Sequence, residues 1–117
     1  LIIEDDTMLG TMYSHALKTV QYDAVIIQDG EVAWSTIAHY DPNIILLDMN
    51  LPGRDGHSIY QKIRGLAQFE KTPVIIATAN GVMADVMKRE LRDIDFVMMK
   101  PLDVAELVVL VSRLGKG

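Results

Sequence analysis

A carboxylate at the end of an apolar run is the first feature of this chain that could do chemistry. In Ile45-Leu46-Leu47-Asp48-Met49-Asn50-Leu51-Pro52-Gly53-Arg54-Asp55-Gly56, strand-forming residues run straight into Asp48, and a Pro/Gly turn follows at once. Burying such a carboxylate is costly unless a partner or a cation meets it. Three other stretches, each closing an apolar run, carry suitable groups: Glu4-Asp5-Asp6, Thr78 and Lys100-Pro101. Carboxylates gathered about Asp48 would repel, and one would take up a proton unless a cation intervened. A hard divalent ion with oxygen ligands answers that need. Mg²⁺, which keeps several waters and shares its shell with phosphate, fits better than an all-protein calcium cage. No EF-hand spacing is present, and three scattered histidines make no zinc site of ordinary type. A carboxylate beside Mg²⁺ is a competent nucleophile toward a phosphoryl group. Lys100 and Thr78 would then aim an ammonium and a hydroxyl at the phosphoryl oxygens.

These residues are far apart in sequence, so the fold must bring them together. Five apolar runs, Leu1–Ile3, Ala24–Ile27, Ile44–Leu47, Val74–Ala77 and Phe96–Met99, are continuous rather than alternating, which suits strands covered on both faces of a parallel sheet. Between and after them lie segments of helical spacing. The expected inner faces are Leu9, Met12, Ala16, Leu17 and Val20; Val32, Ala33 and Ile37; Ile59, Ile63 and Leu66; Val82, Val86 and Leu91; and Leu107, Leu110, Val111 and Leu114. Asp103 with Glu106 three residues on opens the last helix like a capping box. Strand and helix alternate five times, which predicts a doubly wound α/β fold of the flavodoxin-like kind: a five-stranded parallel sheet, order 2-1-3-4-5, with helices on both faces. In that order the crevice lies at the carboxyl ends of strands 1 and 3, where Glu4-Asp5 and Asp48 stand.

Composition narrows the field. At 117 residues the chain is expected to be one domain, residues 1–117, with a single sizeable core. A net charge of -5 argues against a nucleic-acid surface on this domain, since phosphate backbones need clustered cations. The absence of cysteine fits a reducing cytoplasm, and no apolar run has the length of a membrane span. The chain opens without Met inside an apolar run, so the N-terminus is read as trimmed, and Gly115-Lys116-Gly117 is read as the start of a linker.

The acidic pair Glu4-Asp5, the D-x-x-x-P-G-x-D-G pattern from Asp48 to Gly56, Thr78-Ala79 and Lys100-Pro101 together resemble the receiver domain of bacterial two-component response regulators, over essentially the whole chain. Each element alone is weak; four in order, each at a strand end, are specific. The resemblance implies a signalling switch rather than a conventional enzyme. It would accept a phosphoryl group onto Asp48 from a histidine kinase or histidine phosphotransfer protein and assist its own phosphorylation and dephosphorylation. It further implies Mg²⁺ held by the Asp5 and Asp48 carboxylates and the Asn50 backbone carbonyl, with Glu4 direct or through water. Lys100 would pair with phosphoryl oxygens, and Thr78 would close on the group. The implied partners are that phosphodonor and an output domain or protein of unknown kind, with a phosphorylation-dependent dimer also admitted. The Lys100-Pro101 peptide is expected to be cis. The sequence departs from the family in one place: the aromatic residue usual three positions before the lysine is Val97. Phe96 beside it would face the other side of the sheet.

Other side chains are read more plainly. Asp6 is a cap or surface acid, and His15, His39 and His57 lie at the surface or half-buried. Trp34 packs. Met8, Met12, Met83, Met87, Met98 and Met99 fill the core, with Val82, Met83, Val86 and Met87 the set that exceeds one buried stripe. Two other activities compete, the first on the same strand order and the second through similar chemistry. A flavin or nucleotide site would need a glycine-rich phosphate loop after strand 1, where Glu4-Asp5-Asp6 would repel the anion. An aspartyl phosphohydrolase would need an acid where Asn50 stands. A receiver fold kept only as a docking scaffold is the third alternative, and the intact Asp48, Thr78, Lys100 and acidic pair argue against it.

Overall fold

In the computed structural model, which describes residues 1–115, five parallel strands form one sheet in the order β2-β1-β3-β4-β5. The strands are β1 (Ile2–Ile3), β2 (Ile26–Ile27), β3 (Ile45–Asp48), β4 (Val74–Thr78) and β5 (Phe96–Met99). The helices are α1 (Thr7–Lys18), α2 (Gly30–Thr36), α3 (Gly56–Gly65), α4 (Gly81–Glu90) and α5 (Val104–Leu114). β3 and β4, at the centre, are buried at every position, as their unbroken Ile, Leu and Val runs require. β1 and β2 are shorter than their apolar runs: Val25, just before the edge strand β2, is half exposed.

The sheet divides two cores. On one face Ile3, Ile45, Leu47 and Ile76 meet Ala33 of α2, Ile59 and Ile63 of α3, and Met87 of α4. On the other, Ile2, Leu46, Ile75 and Ala77 meet Tyr13 and Leu17 of α1 and Leu107 and Val111 of α5. Successive strand side chains alternate between these faces, so the period of two fixes which helix each residue greets. The same alternation settles the question at β5. Val97 pairs with Ile76 and packs into the first core, whereas Phe96 pairs with Ile75 on the opposite face. No aromatic side chain stands where Val97 does.

Each helix opens on an acid or amide whose side chain accepts from N–H groups of the first turn, satisfying donors the helix leaves free. Asp6 caps α1 through Leu9, Asp29 caps α2 through Glu31 and Val32, and Asp55 caps α3 through Ser58. Asn80 caps α4 through Val82 and Met83, and Asp103 caps α5 through Glu106. These caps fix where each helix starts relative to the strand before it, and hence the shape of the crevice rim.

Three expected inner faces are met only in part. In α1 the buried residues are Gly10, Tyr13 and Leu17, while Met12 is 47% exposed and Val20 lies past the helix end. Gly10 packs close to β2: a Cβ there would lie 3.3 Å from the Ile26 side chain, which would have to give by a few tenths of an ångström. In α2 Val32 is exposed, whereas Ala33 and, at the helix end, Ile37 are buried as expected. In α4 Val82 and Val86 face outward, and Ala84 and Met87 face the sheet. Met8, Met12 and Met99 are likewise exposed rather than core-filling. Gly115 is the C-cap of α5, and the rest of the expected linker, Lys116 and Gly117, lies outside the described residues.

Candidate functional site

The four chemistry-bearing stretches meet at the carboxyl edge of the sheet. β1 pairs directly with β3, which sets Glu4 and Asp5 beside Asp48. β4 delivers Thr78 next to it, since Asp48 pairs with Ala77, and β5 ends one residue before Lys100, whose N–H donates to the Thr78 carbonyl at 2.8 Å. The Lys100-Pro101 peptide is cis.

One oxygen from each of Glu4, Asp5 and Asp48 lies within 4.8 Å of the others. Glu4 and Asp48 are buried, whereas Asp5 is exposed and opens the cluster to solvent. The Lys100 ammonium reaches into the group, 2.8 Å from Glu4 Oε1 and 3.1 Å from Asp48 Oδ2. Burial alone would lower the Lys100 pKa. The Glu4 and Asp48 carboxylates outweigh that and hold it above 10.5. Three carboxylates against one ammonium leave the cluster short of positive charge. Glu4 Oε1, fully buried, is met among the described residues by no donor beyond that ion pair and so retains lone-pair capacity. A hard cation with oxygen preference suits this donor set, and a soft one does not.

The remaining contacts hold Asp48 and its neighbours in place. Asp48 Oδ1 accepts from the Asn50 N–H at 3.1 Å, which leaves Oδ2 facing Lys100. Glu4 Oε2 accepts from the Asp6 N–H at 3.2 Å. The Thr78 hydroxyl oxygen accepts from the Asn80 N–H at 3.1 Å. Its own proton remains available to a second acceptor. Met49, Asn50, Thr78, Ala79, Asn80 and Met83 line a depression beside this edge. Asp6 stands outside the cluster as a helix cap, and Glu90 binds His57 at 2.6 Å away from it.

Two features escaped sequence reasoning. Tyr13, read as neither core nor site, is 2% exposed, and its hydroxyl has no hydrogen-bond partner among the described residues. Burial raises its pKa, and the charges of Lys100, Glu4 and Asp48 all act on it. The loop after Asp48 is fastened to α2 through Arg54, Glu31 and Trp34. The only advance signal for either was an aromatic residue within a helical segment, which packing explains equally well.

The chain matches the family described as "Response regulator receiver domain" over residues 1–112. It is 31% identical, over 97% of its length, to the DNA-binding dual master transcriptional regulator RpaA of Synechocystis, covering 47% of that protein. It is 30% identical, over its full length, to the DNA-binding response regulator MtrA of Mycobacterium tuberculosis H37Rv, covering 50% of it. The chain thus spans about half the length of these curated relatives, and 17% of a third, Protein RcaC of Microchaete diplosiphon. Among solved structures it is similar to a putative response regulator from Chloroflexus aurantiacus, at 26% identity and a TM-score of 0.84, covering 99% of this chain and 95% of that one. It is also similar to the signal receiver domain of a histidine kinase from Syntrophus aciditrophicus, at 25% identity and a TM-score of 0.85, covering 99% and 88%. With the doubly wound sheet, the acidic cluster at its switch point and a family match across nearly all of its length, the chain belongs to the response regulator receiver domains of two-component signalling.

Proposed function

We propose that Asp48 is the phospho-acceptor and that its phosphorylation, with Mg²⁺ at Glu4, Asp5, Asp48 and the Asn50 carbonyl, is the switching event of this domain. The observation that carries this reading is the Lys100 ammonium at 3.1 Å from Asp48 Oδ2 inside a cluster of three carboxylates. When bound, Mg²⁺ supplies the charge that lets an anionic carboxylate approach an anionic phosphoryl group.

The chain's own residues do the rest. An Asp48 oxygen attacks phosphorus as the bond to the donor imidazole nitrogen breaks. The departing histidine keeps that electron pair, and the product is a mixed carboxylic-phosphoric anhydride. The Asn50 N–H orients the carboxylate. Lys100 turns from Asp48 to a phosphoryl oxygen while keeping Glu4 in reach, neutralising charge that grows in transfer. Thr78 donates its hydroxyl proton to another phosphoryl oxygen. Because Asn80 links Thr78 to the first turn of α4, a shift of Thr78 is passed to that helix. The exposed Val82 and Val86 lie there, and with Val97 in place of an aromatic ring this is the more direct route to an output surface. Attack of water on the acyl phosphate restores Asp48 and releases phosphate.

In this reading residues 1–117 are one receiver domain working in the cytoplasm with a linker starting near 115. Its phosphodonor is a histidine kinase or phosphotransfer protein. Its output is a partner or attached domain, for which the names of RpaA and MtrA suggest DNA binding. No helix among the described residues is long and apolar enough to cross a membrane. The test is incubation with a small acyl-phosphate donor and Mg²⁺. Wild type should gain one phosphoryl group and lose it to water, and Asp48→Asn, still folded by circular dichroism, should gain none. Repeated turnover of a phosphate monoester would instead support the phosphohydrolase alternative.

A further inference from the structure

Asn50, whose carbonyl is assigned to the metal, lies on the loop from Met49 to Asp55, and that loop is bolted to the start of α2. The Gly30 N–H donates to the Pro52 carbonyl at 2.9 Å. Arg54 reaches back to the Glu31 carboxylate at 3.2 and 3.4 Å with two guanidinium nitrogens. The same guanidinium lies 3.9 Å from the centroid of the Trp34 ring. Lys62 of α3 lies 4.5 Å from that ring and donates to the Trp34 carbonyl. Trp34 is therefore the shared platform on which the loop and α3 are both held to α2.

Backbone fit makes the fastening tight. A Cβ on Gly30 would fall 1.9 Å from the Arg54 carbonyl oxygen, so α2 and the loop touch main chain to main chain. Gly53 has a φ of +83°, a conformation that glycine takes without strain, and its Cα faces Asp29 and Glu31. On the other side Asp48 and Met49 hold the loop's first residues through the sheet and the Asn50 N–H. Asn50 thus sits between two fixed points, and only one of them belongs to the acidic cluster.

We infer that Arg54, clamped between Glu31 and Trp34, is a positioning residue for the metal site: it holds the Met49–Asp55 loop so that the Asn50 carbonyl faces the Glu4, Asp5 and Asp48 carboxylates. A backbone carbonyl is a weak ligand, and its contribution depends on being fixed beforehand rather than ordered at binding. A surface ion pair alone would do little for that. Here the guanidinium also lies over an indole, and the Arg54 side chain is 35% exposed, so charge, planarity and packing act together.

This inference rests on the metal reading above, and its test separates the two. Mg²⁺ is titrated into wild type, Arg54→Ala, Arg54→Lys and Gly30→Ala, without any phosphodonor, following the backbone amide resonances of Glu4 to Asp6 and of Met49 to Asn50. Thermal melts are recorded in parallel. Arg54→Ala should weaken Mg²⁺ binding at least about threefold, less than the roughly 10–100-fold typical when a group bonded directly to a metal ligand is lost. Arg54→Lys, which keeps a cation over Trp34 but not the fork to Glu31, should recover part of the loss. Gly30→Ala, pushing the loop away from α2, should weaken binding as Arg54→Ala does. Equal Mg²⁺ midpoints in wild type and Arg54→Ala, with only the melting temperature lowered, would leave the clamp a purely structural feature and overturn the inference. If wild-type resonances at Glu4 to Asp6 fail to move, the metal reading itself falls and the clamp's assigned role falls with it.

Discussion

The ammonium of Lys100 lies 3.1 Å from Oδ2 of Asp48, so the buried carboxylate of β3 already has a cation from the far side of β5. That contact makes Asp48 tolerable at its strand end and also ties up one of its oxygens. Removing the cation leaves Glu4 and Asp48 side by side. Lys100→Met should therefore destabilise the fold, by less than the roughly 3–5 kcal/mol lost when a fully buried pair is broken, because 18% of the Lys100 side chain is exposed. Mg²⁺ should raise the melting temperature of the variant more than that of wild type, since its cluster carries one more uncompensated negative charge. Melts with and without Mg²⁺ check both statements.

The same pair has a signature in alkali. The folded-state pKa of Lys100 is raised above its ordinary 10.5. A raised pKa means that the folded state binds this proton more tightly than the unfolded chain does. The stabilisation is full below 10.5 and is lost as pH climbs through the folded value. Urea unfolding should show wild type losing its advantage over Lys100→Met on that alkaline side; the tyrosines that also titrate there are common to both proteins.

A second buried charge sits at the opposite end of the sheet. Asp95, whose side chain is 0% exposed, forms an ion pair with Arg64 and accepts from the Tyr60 hydroxyl at 2.6 Å and from the Val74 N–H at 3.0 Å. One carboxylate thereby joins α3, the start of β4 and the turn into β5. Asp95→Ala should cost about 3–5 kcal/mol, since it strands the guanidinium and a backbone donor. The urea midpoint measures this, and the fraction that remains folded should still bind Mg²⁺ like wild type.

Tyr13 should behave in the opposite way. Its hydroxyl is buried without a partner, a condition that costs roughly 1–3 kcal/mol relative to an apolar group of the same shape. Tyr13→Phe is expected to unfold at equal or higher urea concentration than wild type. A clear loss of stability would mean that the hydroxyl is bonded in solution.

The strand order was legible because apolar runs of parallel strands announce themselves and five of them alternate with helices. Residues meant for strand ends could be placed on one edge by topology alone, which is why Glu4, Asp5, Asp48 and Lys100 could be expected to meet. The faces of the helices were less legible. Hydropathy ranks Met12 above Tyr13 and Val82 above Ala84, yet packing turned on the space each side chain must fill and on the fit of Gly10 against Ile26. Arg54 with Trp34 and Asp95 with Arg64 left no periodic trace, because each pair joins surfaces that only the folded loops bring together. Polar residues in loops look solvated in any sequence, and Asp95 is buried only because the turn before β5 folds over it.

Asp48 as the site of phosphorylation is most directly tested by chemical trapping. Wild-type protein treated with Mg²⁺ and a small acyl-phosphate donor is reduced with borohydride, which converts an aspartyl phosphate to homoserine, and the peptides are sequenced by mass spectrometry. Homoserine should replace aspartate at position 48 alone. Homoserine at Asp5 or Asp6, or at no position after demonstrable phosphoryl uptake, would remove Asp48 from the role.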